Sequence, residues 1–261
     1  MLPFQDPKLS PKERAHDLCA RLTCREKVGQ LNQRLYGFRS VRREGEQLTL
    51  DEAFQKEVLH FGGLGTLYGL YRADPWSGRT RGNGLYGENA VRAYNLAQRF
   101  VVEHSRFGIP MLVSSECPHG HQALDGYLLP VNLAAGAAFQ PELLYEAGKV
   151  CGRQLRELGV DLALESMLDI LRDPRWGRSE ECYGEDPFHA AQFARAIVRG
   201  IQSQGVAVVA KHFCAQGETT GGLNASAARI GPRELREIHL PAARAACRAG
   251  VKGIMAAYNE I

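Results

Sequence analysis

Lys211 and His212 stand side by side at the end of an unbroken apolar run, Val206-Ala207-Val208-Val209-Ala210. A lysine that closes a buried strand needs an anionic partner or a polar cleft, because an unpaired buried ammonium is costly. Glu116 closes a second run, Ile109 to Val113 followed by Ser114-Ser115. A carboxylate there can accept hydrogen bonds from two neighbouring hydroxyls of a sugar or diol, or it can serve as a turn or N-cap group. Tyr258 and Asn259 follow a third run, Val251 to Ala257, and read either as ordinary strand-end residues or as ligand contacts.

The densest concentration of charge lies between Leu164 and Pro187, where Asp169, Asp173, Glu180, Glu181, Glu185 and Asp186 interleave with Arg172, Arg175, Arg178 and Trp176. Charges fall on every face of this stretch, and Asp173-Pro174, Trp176-Gly177 and Asp186-Pro187 each interrupt it, so it is predicted to be a long ordered loop hung from the strand before it. Its carboxylates either neutralise the arginines or perform acid-base chemistry, since structural ion pairs and catalytic groups both perturb ionisation.

Other chemistries find less support. Cys117, His119 and His121 have an alternating spacing that could ligate a metal, but Pro118 and Gly120 between them indicate a turn, and no metal site is assigned. Gly217-Glu218-Thr219-Thr220-Gly221-Gly222 lacks the Gly-Lys-Ser/Thr ending of a phosphate loop. There is no G-x-S-x-G elbow, and basic-aromatic interleaving of the nucleic-acid type is absent. No cofactor is called for.

The elements that must carry these residues follow a rhythm. Ser10-Pro11-Lys12-Glu13 and Thr23-Cys24-Arg25-Glu26 are capping-box signatures, so helices are expected to start at each. Gly62 to Tyr68 reads as a short buried strand, and the Gly-, Arg- and Asn-rich segment 72–89 as a long loop able to line a site. Helical patterns over 88–105, 141–157, 187–203 and 232–248 then each lead through a glycine to a short apolar strand. Near-continuous apolar strands alternating with helices indicate a parallel sheet covered on its outer face. The polar groups gather at the carboxyl ends of several strands, which favours a (β/α)8 barrel over a doubly wound sheet with one switch point. The expected fold is therefore α/β of TIM-barrel type, a single domain over 1–261, incomplete with about five of the eight strands.

Length and composition are compatible with this. At 261 residues, with 44% hydrophobic and 23% charged residues, the chain resembles an ordinary globular domain. A formal net charge of +3, with basic residues scattered among acids, points to neither nucleic acid nor a membrane surface as partner. The N-terminus lacks an apolar signal core and no apolar run approaches membrane-span length, so a cytoplasmic location is expected. Seven dispersed cysteines without a C-x-x-C pair suit free thiols.

Taken together, the strand-end motifs resemble glycoside hydrolase family 3, which includes many β-glucosidases and β-xylosidases. The likeness rests on Ile109-Pro110 through Glu116 and His119-Gly120, on Arg172-Asp173-Pro174-Arg175-Trp176-Gly177-Arg178 through Gly184-Glu185-Asp186-Pro187, on Lys211-His212-Phe213, on Arg233-Glu234-Leu235-Arg236-Glu237 and on Ala257-Tyr258-Asn259-Glu260. It covers the chain from Thr23 onward. The resemblance implies that Glu116, Arg178, Lys211, His212 and Tyr258 hold the hydroxyls of a terminal sugar, and that the Lys211-His212 peptide is cis. It implies retaining exo-hydrolysis of terminal β-glucosyl or β-xylosyl residues from small-molecule or oligosaccharide substrates. Two departures stand out. Leu223 occupies the place of an arginine found in many relatives, and the family's aspartate nucleophile and glutamate acid/base are expected beyond Ile261. The chain alone is therefore expected to be inactive, to associate with a missing C-terminal half, or to be a non-catalytic sugar-binding or regulatory remnant. A further alternative is a different (β/α)8 enzyme in which Glu180 or Glu181 does the acid-base work.

Overall fold

The structure, a computed structural model, describes residues 1–261, the Ser166 side chain excepted. Local sequence signals set the first helices. In α1 (Pro11–Arg21) Ser10 accepts from the Glu13 amide, and in α2 (Cys24–Leu31) Thr23 accepts from the Glu26 amide, with each glutamate reaching back to its cap residue. Strand β1 (Gln33–Arg34) follows, then an antiparallel hairpin of β2 (Val41–Glu44) and β3 (Gln47–Leu50), and α3 (Glu52–Phe61) capped by Asp51.

Six strands form one sheet, in the order β1, β4 (Thr66–Tyr68), β5 (Leu112–Glu116), β6 (Leu162–Met167), β7 (Ala207–Phe213), β8 (Gly253–Ala256), every pair parallel. The sheet thus contains one strand more than the five expected. Gln33–Arg34 went unpredicted because it has no apolar run, and its pairing with β4 alone defines it. Within this sheet each strand lies beside the next in the chain, so no switch point exists and the doubly wound alternative fails. Helices α4 (Gly87–Glu103), α5 (Asn132–Ala137), α6 (Pro141–Glu157) and α7 (Pro187–Gln202) connect the central strands. The last expected helix is broken into α8 (Pro232–Glu234), a π turn (Leu235–His239) and α9 (Leu240–Arg248).

Strand side chains alternate between the two faces of the sheet. Val113, Ala163, Val208 and Ala210 are fully buried and pack, with Leu67, against Phe54, Ala93, Ala97, Leu155, Phe193, Ile197 and Ala242 of the helices. The intervening set faces the concave side and is more open, with Leu112 46% exposed and Val209 part-exposed. This is an α/β half-barrel with its helices outside and its interior face uncovered. Close contact between α6 and α7 depends on glycine, since a Cβ on Gly200 would lie 2.4 Å from the Tyr145 carbonyl oxygen.

The strand ends are irregular where the site lies. Pairing shifts register between Leu164 and Met167 of β6 and between Lys211 and Phe213 of β7. Such bulges re-aim side chains next to functional sites. The Lys211-His212 peptide is cis, as the family resemblance implies, and Phe213-Cys214 is cis as well.

Candidate functional site

A cavity of about 600 Å³ opens at the carboxyl ends of the strands. Its lining draws on separate parts of the chain, among them Leu35 after β1, Tyr68 at the end of β4, Arg72 and Trp76 in the following loop, Glu116 at the end of β5, Arg178 and Glu181 in the loop after β6, and Lys211 and His212 in β7. Asn224, Met255 and Tyr258 complete one side, Pro118 and Gln122 another. All five residues singled out in the sequence, Glu116, Arg178, Lys211, His212 and Tyr258, therefore meet here.

Glu116 is the hub. Lys211 Nζ donates to its Oε2 at 2.6 Å, the Tyr68 hydroxyl donates to its Oε1 at 2.9 Å, and an Arg72 guanidinium nitrogen lies 3.9 Å away. Burial opposes ionisation of Glu116, but the Lys211 ammonium and its hydrogen bond, together with the Tyr68 hydroxyl and the Arg72 charge, outweigh it and hold the carboxyl below its ordinary pKa. The same burial, reinforced by the Glu116 charge, pushes the Tyr68 phenol far up, so it stays a neutral donor. Lys211 is almost wholly buried and also lies 3.9 Å from Glu181.

Glu181 is occupied in a second way. Arg178 grips it through Nε at 2.6 Å and through a terminal nitrogen at 2.8 Å, a two-pronged geometry that fixes both groups. Burial alone would lower the Arg178 pKa, yet the bond to Glu181 raises it, so the guanidinium stays charged. His212 is backed by Asp169, whose Oδ2 accepts from the ring Nδ1 at 2.8 Å and from the His212 amide at 3.1 Å. Tyr258 is 65% exposed at the rim, its ring 6.4 Å from that of His212.

The charged loop thus divides by partner. Arg178 and Glu181 enter the cavity, Asp169 stands behind His212, and Asp186 caps α7 by accepting from the His189 amide at 2.6 Å. Arg175 and Asp173 pair with each other at 2.6 Å, while Arg172 meets Glu218 and Glu234, all three pairs outside this cavity. Glu180 is exposed and lines no part of it. The Glu180 or Glu181 acid-base alternative therefore gains no support from the geometry. Leu223, at the place where the family resemblance implies an arginine, points to solvent, and its neighbour Asn224 lines the cavity instead while accepting from Trp176 Nε1 at 2.9 Å. His121 is fully buried, its Nε2 lies 3.0 Å from Ser115 Oγ, and burial depresses its pKa to about 4.

Sequence reasoning missed Tyr68, Arg72, Trp76 and Asn224 as individuals, and it named Asp169 only among the carboxylates of the charged loop, not as the partner of His212. The composition of the 72–89 loop suits the lining of a site, but only folding shows which of its side chains reach the cavity.

The chain is similar to a number of known proteins. The model of the glycosyl hydrolase family 3 N terminal domain matches residues 23–261. A putative beta-xylosidase of Formosa agariphila is 29% identical over 99% of this chain, which spans 34% of that protein. Among solved structures, the β-glucosidase EmGH1 of Erythrobacter marinus superposes with a TM-score of 0.83 and 33% identity, covering 99% of this chain and 33% of its own. A β-glucosidase mutant from Listeria innocua, solved with laminaribiose, superposes at 0.78 with 26% identity over 96% of this chain and 33% of that one. The chain therefore spans about a third of the length of these relatives.

Proposed function

Because the chain belongs to glycosyl hydrolase family 3, whose N-terminal domain model matches residues 23–261, we propose that its cavity is the subsite for a terminal β-glucosyl or β-xylosyl residue of a retaining exo-glycosidase. The observation that carries this reading is the buried Lys211–Glu116 pair at 2.6 Å, set among Tyr68, Arg72, Arg178 and His212 around one cavity. A neutral polyol offers hydroxyls that both donate and accept. Glu116 accepts from them, Lys211 and Arg178 donate to them, and each such bond is charge-assisted. Because the partners are already fixed on one another, they need little reorganisation when a sugar arrives, and bonds that strengthen as the ring flattens lower the barrier.

Retaining hydrolysis also needs two carboxyl groups roughly 5 to 5.5 Å apart, one to attack the anomeric carbon and one to protonate the leaving oxygen. Glu116 and Glu181 do not suit those roles, since Lys211 and Tyr68 engage the first and Arg178 grips the second from two nitrogens. In this reading the attacking and proton-donating groups lie outside residues 1–261, and this segment binds the sugar without turning it over. The assay is direct. Incubated with nitrophenyl β-glucoside and nitrophenyl β-xyloside, the purified chain is expected to release no nitrophenol, while saturation-transfer NMR detects bound glycoside. Nitrophenol release by an uncontaminated sample refutes the division of labour, and absence of bound glycoside refutes the sugar site.

A further inference from the structure

The formal net charge of +3 conceals a local excess. Five arginines gather on one surface outside the sugar cavity: Arg39 in the turn after β1, Arg42 and Arg43 in β2, and Arg79 and Arg81 in the loop before α4. Backbone carbonyls tie these segments together. Arg43 Nε donates to the Gly84 carbonyl at 2.7 Å and a terminal nitrogen to that of Arg81 at 2.5 Å, while Arg79 donates to the Phe38 carbonyl at 2.6 Å. Aromatic rings hold the rest. Arg39 lies 4.8 Å over Tyr36, and Arg43 and Arg81 lie 5.1 and 5.0 Å over Tyr86. Guanidinium groups stacked or bound in this way keep further N–H donors for a ligand, since each carries five.

This surface is short of counter-charge. Among the described residues, only Arg42 and Arg81 of the five meet a carboxylate, Asp51 at 2.6 Å and Asp125 at 3.0 Å, and Asp51 is shared with Arg34 at 3.8 Å. Glu46, at the tip of the β2–β3 hairpin, is taken by Arg92 at 3.6 Å. Arg79 is half-buried, and burial followed by the Arg39 and Arg42 charges pushes its pKa below the ordinary arginine value. Like charges held this close repel, and an anion laid across them relieves the repulsion. The arginines are spread over three segments, so a small anion engages only some of them, whereas a chain bearing repeated anionic groups engages all. Carboxylates and tetrahedral oxyanions such as sulfate both suit the two-pronged guanidinium geometry. Tyr36 and Tyr86 already carry guanidinium groups, which makes them poor stacking platforms for nucleobases.

We propose that Arg39, Arg42, Arg43, Arg79 and Arg81 form a binding surface for the uronate carboxylates or sulfate esters of an acidic polysaccharide. The anion surface stands on its own geometry. The choice of a polysaccharide rests on the sugar-clamp reading, since Tyr36 directly follows Leu35 of the cavity lining. Polygalacturonate and heparin serve as carboxylated and sulfated probes, with oligo-dT for comparison, titrated calorimetrically at about 0.15 M salt, where long-range attraction is largely screened. At least one of the two polysaccharides is expected to bind the parent more tightly than oligo-dT does. Arg39→Ser/Arg81→Ser, at two exposed positions, is expected to weaken it roughly tenfold, as loss of charge-assisted contacts does. Arg39→Ser alone is expected to give part of that loss. Arg195→Ser/Arg199→Ser removes the same charge from exposed positions on α7 and is expected to leave affinity within about twofold of the parent. Binding of heparin alone assigns the surface to sulfate, and binding of polygalacturonate alone assigns it to uronate. Absence of binding by both, or equal losses in the two double variants, overturns the surface. Oligo-dT bound as tightly as the polysaccharides overturns the choice of partner. Neither Arg39 nor Arg81 lines the cavity, so glucose and xylose affinity is expected to be unchanged in Arg39→Ser/Arg81→Ser, and the surface and the clamp can each fail while the other stands.

Discussion

Asp169 lines no part of the cavity, yet it determines what His212 presents there. Its carboxylate is fully buried and accepts from His212 Nδ1, from the His212 amide, and from the Gly217 amide at 3.2 Å. With the Nδ1 proton committed to Asp169, Nε2 is the ring nitrogen left for a sugar hydroxyl, an assignment that follows from the hydrogen-bond network. Asp169→Asn keeps the shape but lets the side-chain amide donate to Nδ1, favouring the other tautomer. Sugar binding is expected to weaken roughly tenfold, in line with the loss of a charge-assisted bond, and the two His212 nitrogen resonances are expected to exchange character in NMR. Unchanged resonances contradict this positioning role. The ionisation of Glu116 gives a second test. Its folded pKa lies below the ordinary value of about 4.3 because Lys211, Tyr68 and Arg72 together outweigh burial. The stabilisation is therefore fully present above that ordinary value and is lost only as pH falls through the lower folded one. Sugar affinity should stay level from neutral pH down to about 5 and decline below about 4; a decline centred above pH 5 contradicts the pair. At this scale the sequence is informative about residues that end apolar runs, such as Glu116 and Lys211. It marks Asp169 only as one carboxylate of a charged run, because the contact with His212 spans 43 positions and exists only after folding.

Among the elements, the loop between β6 and α7 depends on Trp176. Its indole is buried, donates to Asn224, and lies beneath the Arg178 guanidinium at 5.7 Å, so one side chain joins the loop, the 220s segment and a cavity arginine. Trp176→Ala is expected to cost about 3–5 kcal/mol, the usual range for emptying a buried aromatic site, and to loosen sugar binding through Arg178. A thermal melt checks the first, and a melting temperature within a degree or two of the parent contradicts it. The loop itself was legible, because proline and glycine interrupt its charges at fixed points. Capping boxes at Ser10 and Thr23 were legible for the same reason, being local chemistry. The break within 232–248 was not. Its helical periodicity continues unbroken, but Pro241 has no amide to donate and the Leu240 amide bonds the Leu235 carbonyl, five residues back. The β2–β3 hairpin is not legible either, since Val41–Glu44 and Gln47–Leu50 mix charges with few apolar residues and hold by mutual pairing.

In the whole molecule, the consequence of a half-barrel is exposure. Strand β8 pairs only with β7 on one side, and Ile254 on it is 40% exposed, while β1 at the opposite edge pairs only with β4. Unpaired edges and open apolar positions favour association. Sedimentation of the purified chain is expected to show concentration-dependent self-association, reduced by Ile254→Lys, and a strictly monomeric chain at high concentration contradicts it. The barrel class was readable because polar residues recur at successive strand ends. The number of strands was not, because a strand of two residues carries no period. The claim on which the functional reading depends is that Lys211 and Glu116 form a sugar clamp already assembled in this segment. Calorimetric titration of glucose and xylose into the chain and into its Lys211→Met variant tests it most directly. Saturable binding of at least one sugar by the parent, with at least a tenfold loss in the folded variant as expected for removing a charge-assisted partner, is the expected result. Binding that is unaffected by the substitution, or no binding by the folded parent, contradicts the clamp.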